Sequence, residues 1–157
     1  KTLGAVDVSV GYTYYAFPGE GDLNTEEVYL GLSHELSSGV GLSLTYYEDI
    51  DQLSGGYMEF EAAKSFTLSE CIGLDLAAGA AWCDDYELNV DVDGSNMDGF
   101  NHWYITAALP IALKEDVTLT PYIKYVDAAS DLDSSLVDAG ADSEDHFYAG
   151  VSLAIAF

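Results

Sequence analysis

The side chains of this chain best suited to bind ions or transfer protons are carboxylates and histidines. There are 28 acidic residues against 4 basic ones, a formal net charge of −24. The stretch DVDGSNMDG at 91–99 supplies Asp91, Asp93 and Asp98, and hard cations prefer such oxygen ligands on a flexible turn. Its spacing differs from that of an EF-hand, because Asn96 occupies the glycine position. We predict no cofactor and simple hydration of this loop, with loose binding of Ca²⁺ or another divalent cation as the alternative.

Two histidines, His102 and His146, extend the candidate metal set. The strand phase places both on one predicted face near the same end, about 10 Å apart if they are two strands apart. They could share a ligand, but no serine pairs with either as nucleophile and base. We predict no catalytic residues and no enzymatic activity. A lipid-modifying enzyme that uses His102 or His146 is the alternative.

Eight segments alternate between apolar and polar residues, the period of a strand with two different faces. They lie near 5–16, 26–36, 40–47, 55–66, 71–83, 100–113, 117–127 and 147–157. Pro110 is awkward within the sixth, because proline removes a ladder donor. Long breaks at 17–25, 48–54, 84–99 and 128–144 alternate with short turns. Such alternation is typical of outer-membrane barrels with extracellular loops and periplasmic termini, and we expect an export signal to have preceded Lys1.

The two faces of these segments differ sharply. One face is almost wholly apolar and is predicted to meet lipid. The other is predicted to line a lumen with the residues Asp7, Glu27, Glu35, Glu59, Glu61, Asp75 and Lys124. An eight-stranded barrel is barely wide enough for its own side chains, and tyrosines at 15, 29, 57, 104, 122 and 148 share this face. We predict a mostly plugged lumen, with a narrow cation-conducting lumen as the alternative.

Aromatic residues are sorted by height along the segments. Those at strand ends beside the long breaks are Tyr12, Tyr14, Tyr46, Trp82, Trp103, Tyr125 and Phe147, and Phe157 lies at the opposite end. Such belts mark the two membrane interfaces. The last segment alternates up to a terminal Phe157, which is similar to the signal that the outer-membrane insertion machinery reads.

Cys71 and Cys83 fall at opposite ends of one predicted strand. A dozen strand residues span roughly 40 Å, whereas a disulfide needs Cα atoms within about 7 Å. No bridge between them is expected.

Several stretches carry a family resemblance. GYTYYAFPGE at 11–20 followed by EEVYLGLS at 26–33 is the most specific, and GGYMEFEAAKSFTL at 55–68 and TLTPYIKYVDA at 118–128 continue it. These resemble a family of bacterial outer-membrane proteins of unknown function that are labelled TorF-type porins. The architecture also resembles the small OmpA, OmpX and OmpW barrels. The resemblance implies a porin-like barrel and carries no catalytic residues.

The sequence therefore predicts a single domain over 1–157, an all-β, eight-stranded, antiparallel up-and-down transmembrane β-barrel in a Gram-negative outer membrane. Predicted partners are the lipid bilayer, lipopolysaccharide approached through cations, and the insertion machinery. Nucleic acid is excluded, because phosphate repels this surface. At best the lumen passes small cations or solutes. The alternatives are a surface-exposed protein whose acidic loops hold divalent cations or a partner, and a soluble lipocalin-like barrel with its apolar face inside.

Overall fold

The computed structural model describes residues 1–16, 24–51, 55–90, 96–128 and 145–156, without the side chains of 86–90, 96–97 and 145. Most of the predicted long breaks, together with Asp91, Asp93 and Phe157, lie outside the described residues. The strands are β1 (Thr2–Leu3), β2 (Val6–Tyr15), β3 (Thr25–Glu35), β4 (Gly41–Asp49), β5 (Gly56–Thr67), β6 (Gly73–Val90), β7 (Asn96–Ala108), β8 (Ile111–Lys114), β9 (Val117–Ala128) and β10 (Asp145–Ile155).

All of these strands belong to one antiparallel sheet in which chain neighbours pair, β8 being an extra partner of β9. The prediction of an all-β, up-and-down fold is confirmed. The described residues form ten strands rather than eight, and among them no ladder joins β10 to β1 or β2. The predicted strand count is therefore wrong, for two local reasons.

The first reason is Pro110, which divides the predicted sixth strand into β7 and β8. Both pieces keep one register with β9, since Ala108 opposes Tyr122 and Ile111 opposes Leu119. The Pro110 carbonyl still accepts a hydrogen bond from Gly73 at 2.9 Å. The chain therefore continues in the sheet, and only the missing N–H of proline interrupts the ladder.

The second reason is β1, a two-residue strand that the alternation pattern did not predict. It folds back on β2, with Thr2 opposite Asp7 and Leu3 opposite Val6. Gly4 turns the chain between them with a φ of 66°, a conformation that glycine adopts without strain.

The predicted break at 84–99 is also wrong at both ends. β6 runs 18 residues to Val90, and β7 begins at Asn96. The register shifts at three places along this hairpin, and Asp85 has a φ of 52°. Asp84 and Asp85 are both exposed, so their charges stay hydrated. They lie in an irregular, bulged part of the strand and do not end it.

The sheet exposes its apolar face. The exposed side chains include Leu30, Leu32, Leu44, Phe60, Leu76, Ile105 and Ile123. The buried apolar residues of the described chain are few, namely Ala81, Cys83 and Tyr104, and all belong to β6 and β7. The valines and leucines therefore do not pack together in a dry middle, as a lipocalin-like barrel would require.

Candidate functional site

The candidate site is the polar face of the sheet. It is formed by odd-numbered residues of β2–β5 and of β6 up to Cys83, and by even-numbered residues of β9, β10 and the part of β7 from His102 onward. Directly opposed residues share a face, and unbroken rows of such pairs connect these strands. The face carries all of the residues predicted to line a lumen, Asp7, Glu27, Glu35, Glu59, Glu61, Asp75 and Lys124. That they line a lumen remains a prediction.

Glycines seat the tyrosine rings of this face. Tyr104 stands opposite Gly79, and a Cβ at Gly79 would collide with its ring. The same relation holds for two further opposed pairs, Tyr29 with Gly11 and Tyr122 with Gly150. Each ring lies flat over the neighbouring strand, where the glycine provides no side chain of its own.

A continuous series of rings, the aromatic row, crosses the polar face from β3 to β7. Its members are Tyr29, Tyr47, Tyr57, His102 and Tyr104, with successive ring centroids 5.8, 6.0, 6.4 and 6.0 Å apart. Tyr57 and His102 meet above Ala81 of the intervening β6, which is fully buried. Small residues in β6 therefore let rings from β5 and β7 close over that strand.

The carboxylates of the polar face are hydrogen-bonded by hydroxyl groups. Tyr104 donates to Glu61 at 2.7 Å, and Tyr15 donates to Glu27 at 3.3 Å. Glu27 is only 8% exposed. Buried carboxylates need such donors, because an unsatisfied charge away from water is costly.

Asp49 directly opposes Glu27 and is 9% exposed. The Thr25 hydroxyl donates to it at 2.5 Å, and the Asp51 N–H donates at 3.1 Å. Two carboxyl groups of this kind side by side repel each other when both are ionised. This end of the face attracts positive charge.

The one basic side chain among the predicted lumen residues lies against the aromatic row. The Lys124 ammonium stands 3.8 Å from the centroid of the Tyr104 ring, within the range of a cation–π contact. Since the same tyrosine donates to Glu61, its ring and hydroxyl connect the ammonium to the carboxylate.

The opposite end of the polar face contains a recess of about 310 Å³. Asp7, Glu35 and Glu61 line it together with the small residues Ser33 and Ser43. Carboxylates from three strands therefore meet in a space wide enough for several waters.

A β-bulge between β6 and β7 places side chains that the sequence reading missed. Ala81 pairs with His102 and Trp82 with Phe100, so Asn101 is the extra residue. Asn101 is 4% exposed; its amide donates to the Cys83 sulfur at 3.3 Å, and its oxygen lies 2.5 Å from Nδ1 of His102. Neither Cys71 nor Cys83 forms a disulfide bond. Phe100 and Trp103 share the apolar face despite opposite parity, which is the signal that could have predicted the bulge.

The predicted metal residues are not brought together in the described part of the chain. Asp98 is exposed, His102 belongs to the aromatic row, and the His146 ring contacts Tyr148 at 6.0 Å. Among the residues that the structure describes, no three His, Cys, Asp or Glu side chains are grouped to hold a metal ion.

The apolar face carries the described residues of the predicted aromatic girdle, and their place at a membrane interface remains a prediction. Tyr12, Tyr14, Tyr46, Trp103 and Phe147 are exposed, whereas Trp82 and Tyr125 are half-buried. Trp103 packs against Tyr125 at 5.4 Å, and Trp82 meets Phe100 edge-on at 5.8 Å. Within the described ranges, no helix is long and apolar enough to cross a membrane.

No protein-family model matches the chain, and no curated protein matches it.

Proposed function

We propose that this chain is a small outer-membrane β-barrel, porin-like in architecture, whose lumen its own tyrosines largely fill. The observation that carries the proposal is the two-faced sheet: carboxylates, tyrosines and Lys124 share one face, and exposed hydrophobic side chains cover the other. So extensive an apolar surface calls for a cover. Hydrocarbon can cover it once the strand edges are paired, because a closed sheet leaves no backbone group unsatisfied.

The stagger of the strands supports closure. A row of directly opposed residues starts at Val8, near the beginning of β2, and ends at Asp145, the first residue of β10. The row passes through Leu32, Leu44, Phe60, Ala80, Trp103 and Asp127. Because β2 and β10 run in opposite directions, the row climbs from one end of the sheet to the other. Tilted strands in a closed barrel need such a stagger.

The two edge strands are complementary in a specific register. A stagger of about eight residues, as in eight-stranded barrels, would set Asp145 beside Ala16 and lay residues 146–155 along the whole of β2. Val10 would then face Val151. These are among the most exposed side chains of the sheet, at 75% and 65%. Closure would cover both.

The aromatic row supports a lumen that is mostly plugged, open at most to small cations. We propose no catalytic role for this face. Recording in planar bilayers tests the proposal: the native chain should insert with little conductance, and the paired change Tyr47→Ala with Tyr57→Ala should give cation-selective steps. The matched control, Tyr12→Ala with Tyr14→Ala on the apolar face, should leave the conductance low.

Two results would count against this function. Stepwise currents from the native chain would mean that the lumen is open. If the chain does not enter vesicles as a form that resists heat and denaturant, the proposed barrel itself is wrong.

A second candidate function is surface binding through the acidic segments, which the net charge of −24 favours. The segment 129–144 alone carries Asp131, Asp133, Asp138, Asp142 and Glu144, and it lies outside the described residues. Divalent cations held there could bridge to lipopolysaccharide. Removing 130–143 should abolish binding of Ca²⁺ and of lipopolysaccharide while the inserted form persists. Unchanged Ca²⁺ binding would exclude this segment.

A further inference from the structure

β1 lies on the free edge of β2. The Lys1 nitrogen donates to the Val8 carbonyl at 2.6 Å, and the Val8 N–H donates to the Lys1 carbonyl at 2.8 Å. The Thr2 hydroxyl adds a bond to the Asp7 carboxylate at 2.5 Å. β2 pairs with β3 along its other edge, so β1 occupies the side of β2 that faces away from the rest of the sheet.

The turn of this hairpin is also held. The His34 ring of β3 lies with Nδ1 2.5 Å from the Ala5 carbonyl. Contacts to both β2 and β3 therefore fix the hairpin, although only three residues of β2, from Val6 to Val8, have partners on this side.

We infer that β1 is a displaceable edge strand that holds the seam between β2 and β10 open, and that it leaves β2 when β10 pairs there. This inference rests on the barrel closure proposed above. In the register of that closure, Leu153 would oppose Val8 and Ile155 would oppose Val6. One strand edge presents one set of N–H and C=O groups, and Lys1 and Leu3 already use this part of it. The two pairings exclude each other.

The β10–β2 ladder would be longer than the β1–β2 ladder, which favours the replacement of β1 by β10. β1 pairs with three residues of β2, whereas β10 has 11 residues to offer. Unpaired edges invite association with other chains. β1 therefore shields part of the edge before closure, and the longer ladder replaces it when the seam closes.

A cysteine at position 7 can distinguish the open sheet from the closed barrel. Thr2 opposes this position when β1 is paired, and Ala154 would oppose it after closure. In a background of Cys71→Ser and Cys83→Ala, three pairs are compared: Thr2→Cys with Asp7→Cys, Asp7→Cys with Ala154→Cys, and Asp7→Cys with Ala156→Cys. The third covers a stagger of about ten residues, since strand tilts of 35–45° allow either value. Opposed positions of an antiparallel pair have Cα atoms about 4.5–5.5 Å apart, within the range that a disulfide requires.

The expected result is an exchange of cross-links. Before transfer to phosphatidylcholine vesicles, the pair 2–7 should oxidise and neither pair to β10 should. After transfer, 2–7 should be lost and 7–154 or 7–156 should form. Oxidising 2–7 first should prevent the compact, heat-resistant form until the bond is reduced. Ser43→Cys with Glu61→Cys, opposed between β4 and β5, should cross-link under both conditions.

The outcomes separate this inference from the proposed barrel. If the chain locked at 2–7 reaches the compact form in vesicles, β1 does not compete with β10, and the inference is overturned while the barrel stands. If no pair to β10 forms in vesicles, even when Leu3→Pro weakens β1, the closure itself is wrong. Cross-linking of 2–7 in neither condition would refute the pairing of β1 with β2 in solution.

Discussion

The middle of the sheet, β5–β7, and its two outermost long strands, β2 and β10, share one alternating pattern and differ in burial. Tyr104 in the middle is 3% exposed, whereas Tyr148 in β10 is 50% exposed on the same polar face. Tyr104 has strands on both sides and Tyr148 has one. The pattern therefore determines which face a side chain occupies, and the number of neighbouring strands determines how deeply it is buried.

The largest difference between the two regions is expected at the glycines beneath the tyrosines. Gly79→Val should lower the free energy of unfolding by about 3 kcal/mol, because the new side chain overlaps a ring that cannot move. Gly150→Val should cost about 1 kcal/mol, because Tyr122 is 39% exposed and can swing away. Urea unfolding in detergent micelles, followed by tryptophan fluorescence, measures both. Equal losses would mean that the edge is as tightly packed as the middle.

The next effect concerns the hydroxyl of Tyr104. Tyr104→Phe should cost about 2 kcal/mol, because it removes a hydrogen bond to a charged group from a side chain that is only 3% exposed. Tyr148→Phe is the matched change on an edge strand, and water can replace its hydroxyl, so its effect should stay within about 0.5 kcal/mol. The same unfolding experiment applies. A loss for Tyr148→Phe as large as that for Tyr104→Phe would show that the seam is already closed in micelles.

The faces of the strands could be predicted from sequence, because alternation is a local property that reads directly as two sides of a sheet. The interior strands illustrate this, since the predicted segment 55–66 and β5 (Gly56–Thr67) nearly coincide. The pairing of the edges could not be predicted. No alternation indicates β1, which depends on a turn at Gly4 and on a free edge of β2.

The candidate site could likewise be predicted only in part. The residues of the polar face follow from parity, whereas their partners do not. The contact of Lys124 with the Tyr104 ring depends on the pairing of β7 with β9. The insertion of Asn101 at the bulge depends on a register shift between β6 and β7. The prediction of a break at 84–99 is wrong because β6 continues through the acidic residues Asp84 and Asp85, whose exposed side chains a strand can accommodate.

A smaller effect is expected where β3 meets β4. Thr25→Val should cost about 1.5 kcal/mol, because Asp49 loses a donor in a buried position. The matched change, Thr118→Val, lies on the polar face beside β10, where Thr118 opposes Ala154 and is half-buried. Its effect should stay within about 0.5 kcal/mol. A larger loss for Thr118→Val would place a buried hydrogen bond next to the seam and weaken the contrast between the two regions.

The smallest effect separates the two regions on the apolar face. Trp103→Leu removes a ring packed 5.4 Å from Tyr125 and should cost about 1 kcal/mol in micelles, the usual contribution of such a pair. Phe147→Leu, at a side chain 67% exposed, should cost less there.

In vesicles the ranking of these two costs can change, because closure would bring Phe147 beside Tyr14 and give it the ring partner that it lacks at an open edge. We therefore expect the loss in free energy of unfolding caused by Phe147→Leu to be larger in vesicles than in micelles if the seam closes. The loss caused by Trp103→Leu should be the same in both. Equal shifts for both residues would assign the change to the lipid interface, since both would then gain from the same surroundings.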